Sequence, residues 1–140
     1  MITKGIRGAI TVDSNSKEAL KEATLELLSE MFKLNNISLE KNLPPHPCPL
    51  PLGEGVSTTD YLTDNISHII FTTTNDLNAE FPAKFAREDF GLKTTAMMCF
   101  HELDVPNSLP LCLRVLIVLN CEEDFTPKFV YLKGASNLRK

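Results

Sequence analysis

The stretch LPLCLRVLIVLN, Leu109 to Asn120, decides the fold. From Cys112 to Leu119 it is almost wholly apolar and rich in Val, Ile and Leu, the composition of a strand buried on both faces of a sheet. Arg114 breaks that pattern. Its guanidinium stays charged in proteins and is rarely buried without a partner. It therefore meets a buried partner, snorkels past the strand edge, or points into a cavity built for an anion.

Working outward, other segments read as strands that would lie beside this one. ISHIIFTTT from Ile66 has its core at Ile69, Ile70 and Phe71. TTAMMCF, Thr94 to Phe100, runs into His101-Glu102-Leu103-Asp104-Val105, and Pro106-Asn107-Ser108 closes it with a turn. Residues 2 to 12 form another strand through Ile6, Ala9, Ile10 and Val12. Gly5 and Gly8 flank Arg7 there, and strand glycines mark close approach of another backbone or a ligand. KFVYLK, Lys128 to Lys133, is the last strand and carries Tyr131.

Two helices separate the strands. Ser16 to about Leu34 is amphipathic, capped by Ser14 or Ser16, with Leu20, Ala23, Leu27, Leu28, Met31 and Leu34 on one apolar face. This helix covers a sheet and carries no chemistry. Pro82 opens a shorter helix, PAKFAREDFG, which Gly91 stops. Lys84 and Arg87 share a face of it. Between the first helix and Ile66, Lys41 to Asn65 contains PPHPCPLPLGEG, too rich in proline for a helix or central strand. It reads as a long loop inserted into a single domain spanning 1–140, and it resembles a translated dispersed repeat. The order strand, helix, strand, short helix, three strands gives an α/β (α+β) domain with a mixed sheet of about five strands packed on one long helix.

Composition narrows the function. A chain of 140 residues holds one core, and a net charge of −4 argues against nucleic acid and anionic membranes as partners. No apolar run reaches membrane-spanning length and the start does not read as a signal peptide, so a cytoplasmic location is expected. Cys48, Cys99, Cys112 and Cys121 form no CxxC pair, and His46 with Cys48 is too small a set for a metal site. Free thiols, no metal and no cofactor are expected. What remains is a constellation: Arg7, Lys84 with Arg87, Cys99, Glu102, Arg114 and Tyr131. Several cations with one carboxylate suit a small dianion that also bears a hydroxyl. Without an evident nucleophile and base, such a site works by positioning and electrostatics.

GIRGAITV at 5–12, FPAKFAR at 81–87, MCFHELDV at 98–105, LCLRVL at 111–116 and VYLKGASNLR at 130–139 resemble, in this order, the monofunctional trimeric chorismate mutases of the pseudo-α/β-barrel class. The resemblance implies a homotrimer with sites at subunit interfaces, the sheet toward the trimer interior and the long helix outside. It implies a pericyclic rearrangement of chorismate to prephenate in aromatic amino-acid biosynthesis, with no covalent intermediate. Negative charge grows on the ether oxygen as the C–O bond breaks, and a fixed cation there favours the transition state over the substrate.

By the same resemblance Arg114 is that cation, and Glu102 and Cys99 face the ring hydroxyl. Arg7 and Tyr131 hold the side-chain carboxylate. Phe81, Ala83, Lys84 and Arg87 come from an adjoining subunit. Leu138 and Arg139 lie on a tail that closes over the ligand. Met98 and His101 stand where the family often has polar residues, and backbone contacts are expected to survive at both. The insertion and the short tail also depart from the family. A catalytically impaired module that binds a chorismate-like dicarboxylate is therefore the alternative, and an insert that binds a partner is a third reading. Small trimeric enamine/imine deaminases share the size and assembly but not these motifs.

Overall fold

The structure, a computed structural model, describes residues 1–39 and 60–138. Most of the expected proline-rich insertion, with His46 and Cys48, lies outside the described residues, as does Arg139.

Two long strands form the centre. Strand β1 (Ile2–Thr11) pairs antiparallel with β6 (Cys112–Cys121) along its whole length, from Ile2↔Cys121 to Thr11↔Cys112. Strand β4 (Ile66–Thr73) pairs antiparallel with the other edge of β6. Strands β5 (Ala96–His101) and β7 (Val130–Leu132) add in parallel to β4 and β1, giving the order β5-β4-β6-β1-β7. This is the expected mixed sheet, with β7 shorter than the expected KFVYLK.

Helix α1 (Lys17–Leu34) begins at Ser16, whose hydroxyl accepts from the Ala19 N–H at 3.1 Å. Its covered face is Leu20, Ala23, Thr24, Leu27, Leu28, Met31 and Phe32. Thr24 satisfies its own hydroxyl on the Leu20 carbonyl at 2.7 Å, which lets a polar group stay buried. Leu34, expected on this face, is exposed, because the helix ends there and Asn35 turns the chain inward. Buried Asn35 then bonds Lys128 in both directions, at 2.8 and 3.0 Å, tying the helix end to the approach of β7. Helix α2 (Pro82–Asp89) buries Phe85 and Ala86, and Gly91 at φ 68° ends it in the left-handed region that glycine adopts freely.

Strand β6 is not buried on both faces as its composition suggested. Leu113, Val115, Ile117 and Leu119 are fully buried in the core with α1, while Arg114 is exposed and Leu116, Val118 and Asn120 are half-exposed. One face of the sheet is covered and the other stands open and partly apolar. Gly8 serves the covered face: a Cβ there would lie 2.4 Å from the Met31 sulfur, so the glycine admits the helix rather than a ligand beside Arg7.

The expected loop 41–65 overlaps regular structure at its far end. Strand β3 (Tyr61–Leu62) pairs in parallel with β2 (Ile37–Ser38), and a short 3-10 turn (Thr63–Asn65) leads into β4. Two residues per strand carry no periodicity that a sequence reading can detect. Among the described residues no helix is long and apolar enough to cross a membrane.

Candidate active site

Strand register brings the candidate residues together. Thr72, Arg114, Ala9 and Tyr131 stand side by side across β4, β6, β1 and β7. Arg7, two residues along β1 from Ala9, shares their face. Together with Leu138 these residues line an open cleft of about 380 Å³. Arg114 therefore points into a cavity, one of the outcomes its sequence position allowed.

Arg114 is not sealed by its partner. Its Nε lies 3.4 Å from Oε2 of Glu102, with the arginine side chain 54% exposed. That separation exceeds the about 2.7–2.9 Å of a charge-assisted hydrogen bond, so the guanidinium keeps capacity for an anion. Glu102 follows β5 directly. Its N–H donates to the Thr73 carbonyl at 2.8 Å, and its carboxylate accepts from the Thr72 hydroxyl. Arg7 has its guanidinium carbon 4.5 Å from the ring centroid of Phe129, a cation–π contact that steadies a long side chain beside the cleft.

The chain's end closes one side. Beyond β7 a 3-10 turn (Lys133–Asn137) packs Ala135 against Ala9 and Cys112 and brings Leu138 to the cleft. The Gly134 N–H donates to Thr11 Oγ1 at 2.9 Å, and a Cβ on Gly134 would meet the Thr11 methyl at the same distance. Burial pushes the Cys112 thiol pKa up, partly offset by the nearby Arg114 charge.

A second group gathers at the start of α2, away from this cleft. Phe81 precedes the helix and is 67% exposed. Lys84 pairs with Glu80 at 3.2 Å, and Arg87 is exposed in the last turn. The Phe81 N–H, and then Lys84, hold the Glu80 carboxyl below its ordinary pKa. Cys99 belongs here and not beside Glu102. It pairs with Phe71 and packs on the core side of the sheet, whereas Arg114 projects from the other side. Burial raises its thiol pKa, and a hydrogen bond with the Ala83 backbone offsets part of the rise. A cleft of about 370 Å³ joins Phe81 to Cys99, Phe100 and His101. Met98, one residue from Cys99, is 60% exposed and shares the open face through its pairing with Ile70.

One chain thus brings together Arg7, Glu102, Arg114, Tyr131 and Leu138, and holds Phe81, Ala83, Lys84, Arg87 and Cys99 elsewhere. Sequence reasoning missed Thr72 and Phe129. Counting alternate residues from the core position Phe71 would have put Thr72 on the face of Arg114. No local signal marks Phe129 as the partner of Arg7.

A family model described as chorismate mutase type I matches residues 3–43 and 54–140. The chain is 34% identical to the chorismate mutase AroH of Thermus thermophilus, over 99% of this chain and 94% of that protein. It is 27% identical to chorismate mutase AroH of Bacillus subtilis, over 87% and 77%. A solved chorismate mutase from Clostridium thermocellum superposes with a TM-score of 0.73 at 38% identity, covering 94% of this chain and 96% of that one. The family match over most of the chain and these identities agree, and the chain belongs to the type I chorismate mutase family.

Proposed function

We propose that the protein rearranges chorismate to prephenate, and that it does so in the cleft around Arg114. The observation that carries this reading is the exposed, loosely paired guanidinium of Arg114 facing Arg7 and Tyr131 across one open site. Chorismate brings two carboxylates, a ring hydroxyl and an ether oxygen. Arg7 and Tyr131 hold the side-chain carboxylate. Arg114 stands at the ether oxygen, where negative charge grows as the C–O bond lengthens, and its attraction is strongest in the transition state. Glu102 accepts from the ring hydroxyl and favours the positive charge that spreads over the ring. The step needs no nucleophile, because the bonds rearrange within one molecule.

The group on α2 completes the site from a neighbouring subunit of a homotrimer. The half-open sheet face, with Met98 and Phe100 exposed on it, supports that assembly, since a face of this kind is normally covered. Phe81, Ala83, Lys84, Arg87 and Cys99 then form the far wall, and Arg139 extends the closing tail. The chain acts as a single domain interrupted by an insertion, in the cytosol. Free Cys99, Cys112 and Cys121 suit that reducing compartment.

The test is loss of chorismate ultraviolet absorbance with purified protein and with Arg114→Ala. Turnover that vanishes in the variant supports the reading. A folded trimer that binds a bicyclic diacid analogue of the transition state without turnover would instead make it a silent binder.

A further inference from the structure

We infer that Thr72 is a positioning residue, holding the Glu102 carboxylate off Arg114 so that the guanidinium stays available in the cleft. The inference rests on the functional reading above and extends it to a residue outside the expected set. Thr72 lies directly across β4–β6 from Arg114 and lines the same cleft. Its hydroxyl donates to Oε2 of Glu102, the same oxygen that approaches Arg114 Nε at 3.4 Å. Arginine and carboxylate left to themselves favour a short bidentate fork. Here the pair is looser than that, and the carboxylate oxygen is shared with the hydroxyl of Thr72 on β4, the strand between the end of β5 and Arg114 on β6. The backbone helps, because the Glu102 N–H is fixed on Thr73. With Oε2 engaged from two sides, Oε1 has no hydrogen-bond partner among the described residues and is left for a ligand hydroxyl.

Removing the tether should let Glu102 swing onto Arg114, so that a substrate must first break a stronger ion pair. Thr72→Val keeps the shape and the β-branching of the side chain and removes only the hydroxyl. We expect kcat/KM for chorismate to fall about tenfold, in line with loss of one hydrogen bond to a charged group. Thr72→Ser should restore it, and the melting temperature should stay within a degree or two. In a Glu102→Ala background, Thr72→Val should have no further effect, because the residue acts through Glu102. A crystal structure of Thr72→Val should show both Glu102 oxygens on the guanidinium, a readout independent of turnover. An unmoved carboxylate, activity within twofold of the parent, or an equal loss without Glu102 would overturn the inference. A parent protein inactive on chorismate would sink the functional reading alone, and the crystal structure would still decide the tether.

Discussion

Ile117 and Arg114 lie on the same strand, yet they face different environments. Ile117 enters a core closed by α1, with no exposed surface, while Arg114 stands over the open cleft. The covered face is filled by side chains of matched volume and tolerates little change. The open face keeps charged groups loosely paired, which contributes little to folding but leaves them free to act. If the proposed site is the working one, stability and chemistry are divided between odd and even positions of one strand.

The division can be broken from either side. Arg114→Ala should lower turnover about a thousandfold, the upper range for a lost electrostatic stabiliser, while the melting temperature barely moves. An assay of chorismate loss beside a thermal melt would check both halves. Ile117→Ala should do the reverse, costing about 2–5 kcal/mol of unfolding free energy in denaturant titration with turnover per folded molecule unchanged. If Ile117→Ala selectively abolished turnover, the two faces would not be separable.

Smaller effects sharpen the boundary. Gly8→Ala adds a methyl group against Met31 and Leu27 and should cost about 1–3 kcal/mol, with α1 shifted in a crystal structure. Arg7, its neighbour, faces the cleft and should show the opposite profile. The weakest effect belongs to Glu80. Its folded-state carboxyl titrates below the ordinary value, so its contribution to stability is present above about pH 4 and fades as pH falls through the folded pKa. The melting-temperature deficit of Glu80→Gln should therefore be small at pH 7 and close as pH falls below the ordinary carboxylate range.

The same parity explains what a reading of the sequence can and cannot reach. The apolar run from Cys112 to Leu119, interrupted only by Arg114, announces a central strand though not which face is covered, and the spacing of Leu20, Leu27, Leu28 and Met31 announces a covering helix, because burial of one face leaves a period. Ser16 announces the helix start through its own hydrogen bond. Around Cys99 the signal fails. Met97, Met98, Cys99 and Phe100 are all apolar, so nothing in the letters says that Met97 and Cys99 are the ones that face the core. Within the candidate site, Arg7, Glu102, Arg114 and Tyr131 stood out as polar residues in or beside apolar strands. Thr72 did not, since a threonine in a strand is ordinary until its partner across space is known.

The short pairing of Ile37–Ser38 with Tyr61–Leu62 has a consequence for how this chain can be altered. Those two strands act as a clasp, reinforced where the Glu122 N–H donates to the Tyr61 hydroxyl at 3.2 Å and Phe125 meets the Tyr61 ring edge-on. The clasp sits by the Cys121 end of β6, roughly 23 Å along the strand from Arg114. That pairing fixes where Ser38 and Tyr61 stand, and doubling the length of a flexible loop whose ends are held costs only about 0.6 kcal/mol. The family match itself skips residues 44–53, within the clasp. This is a splice point: a peptide tag or reporter grafted between Leu39 and Asp60 would hang from a fixed anchor without changing the register of the sheet.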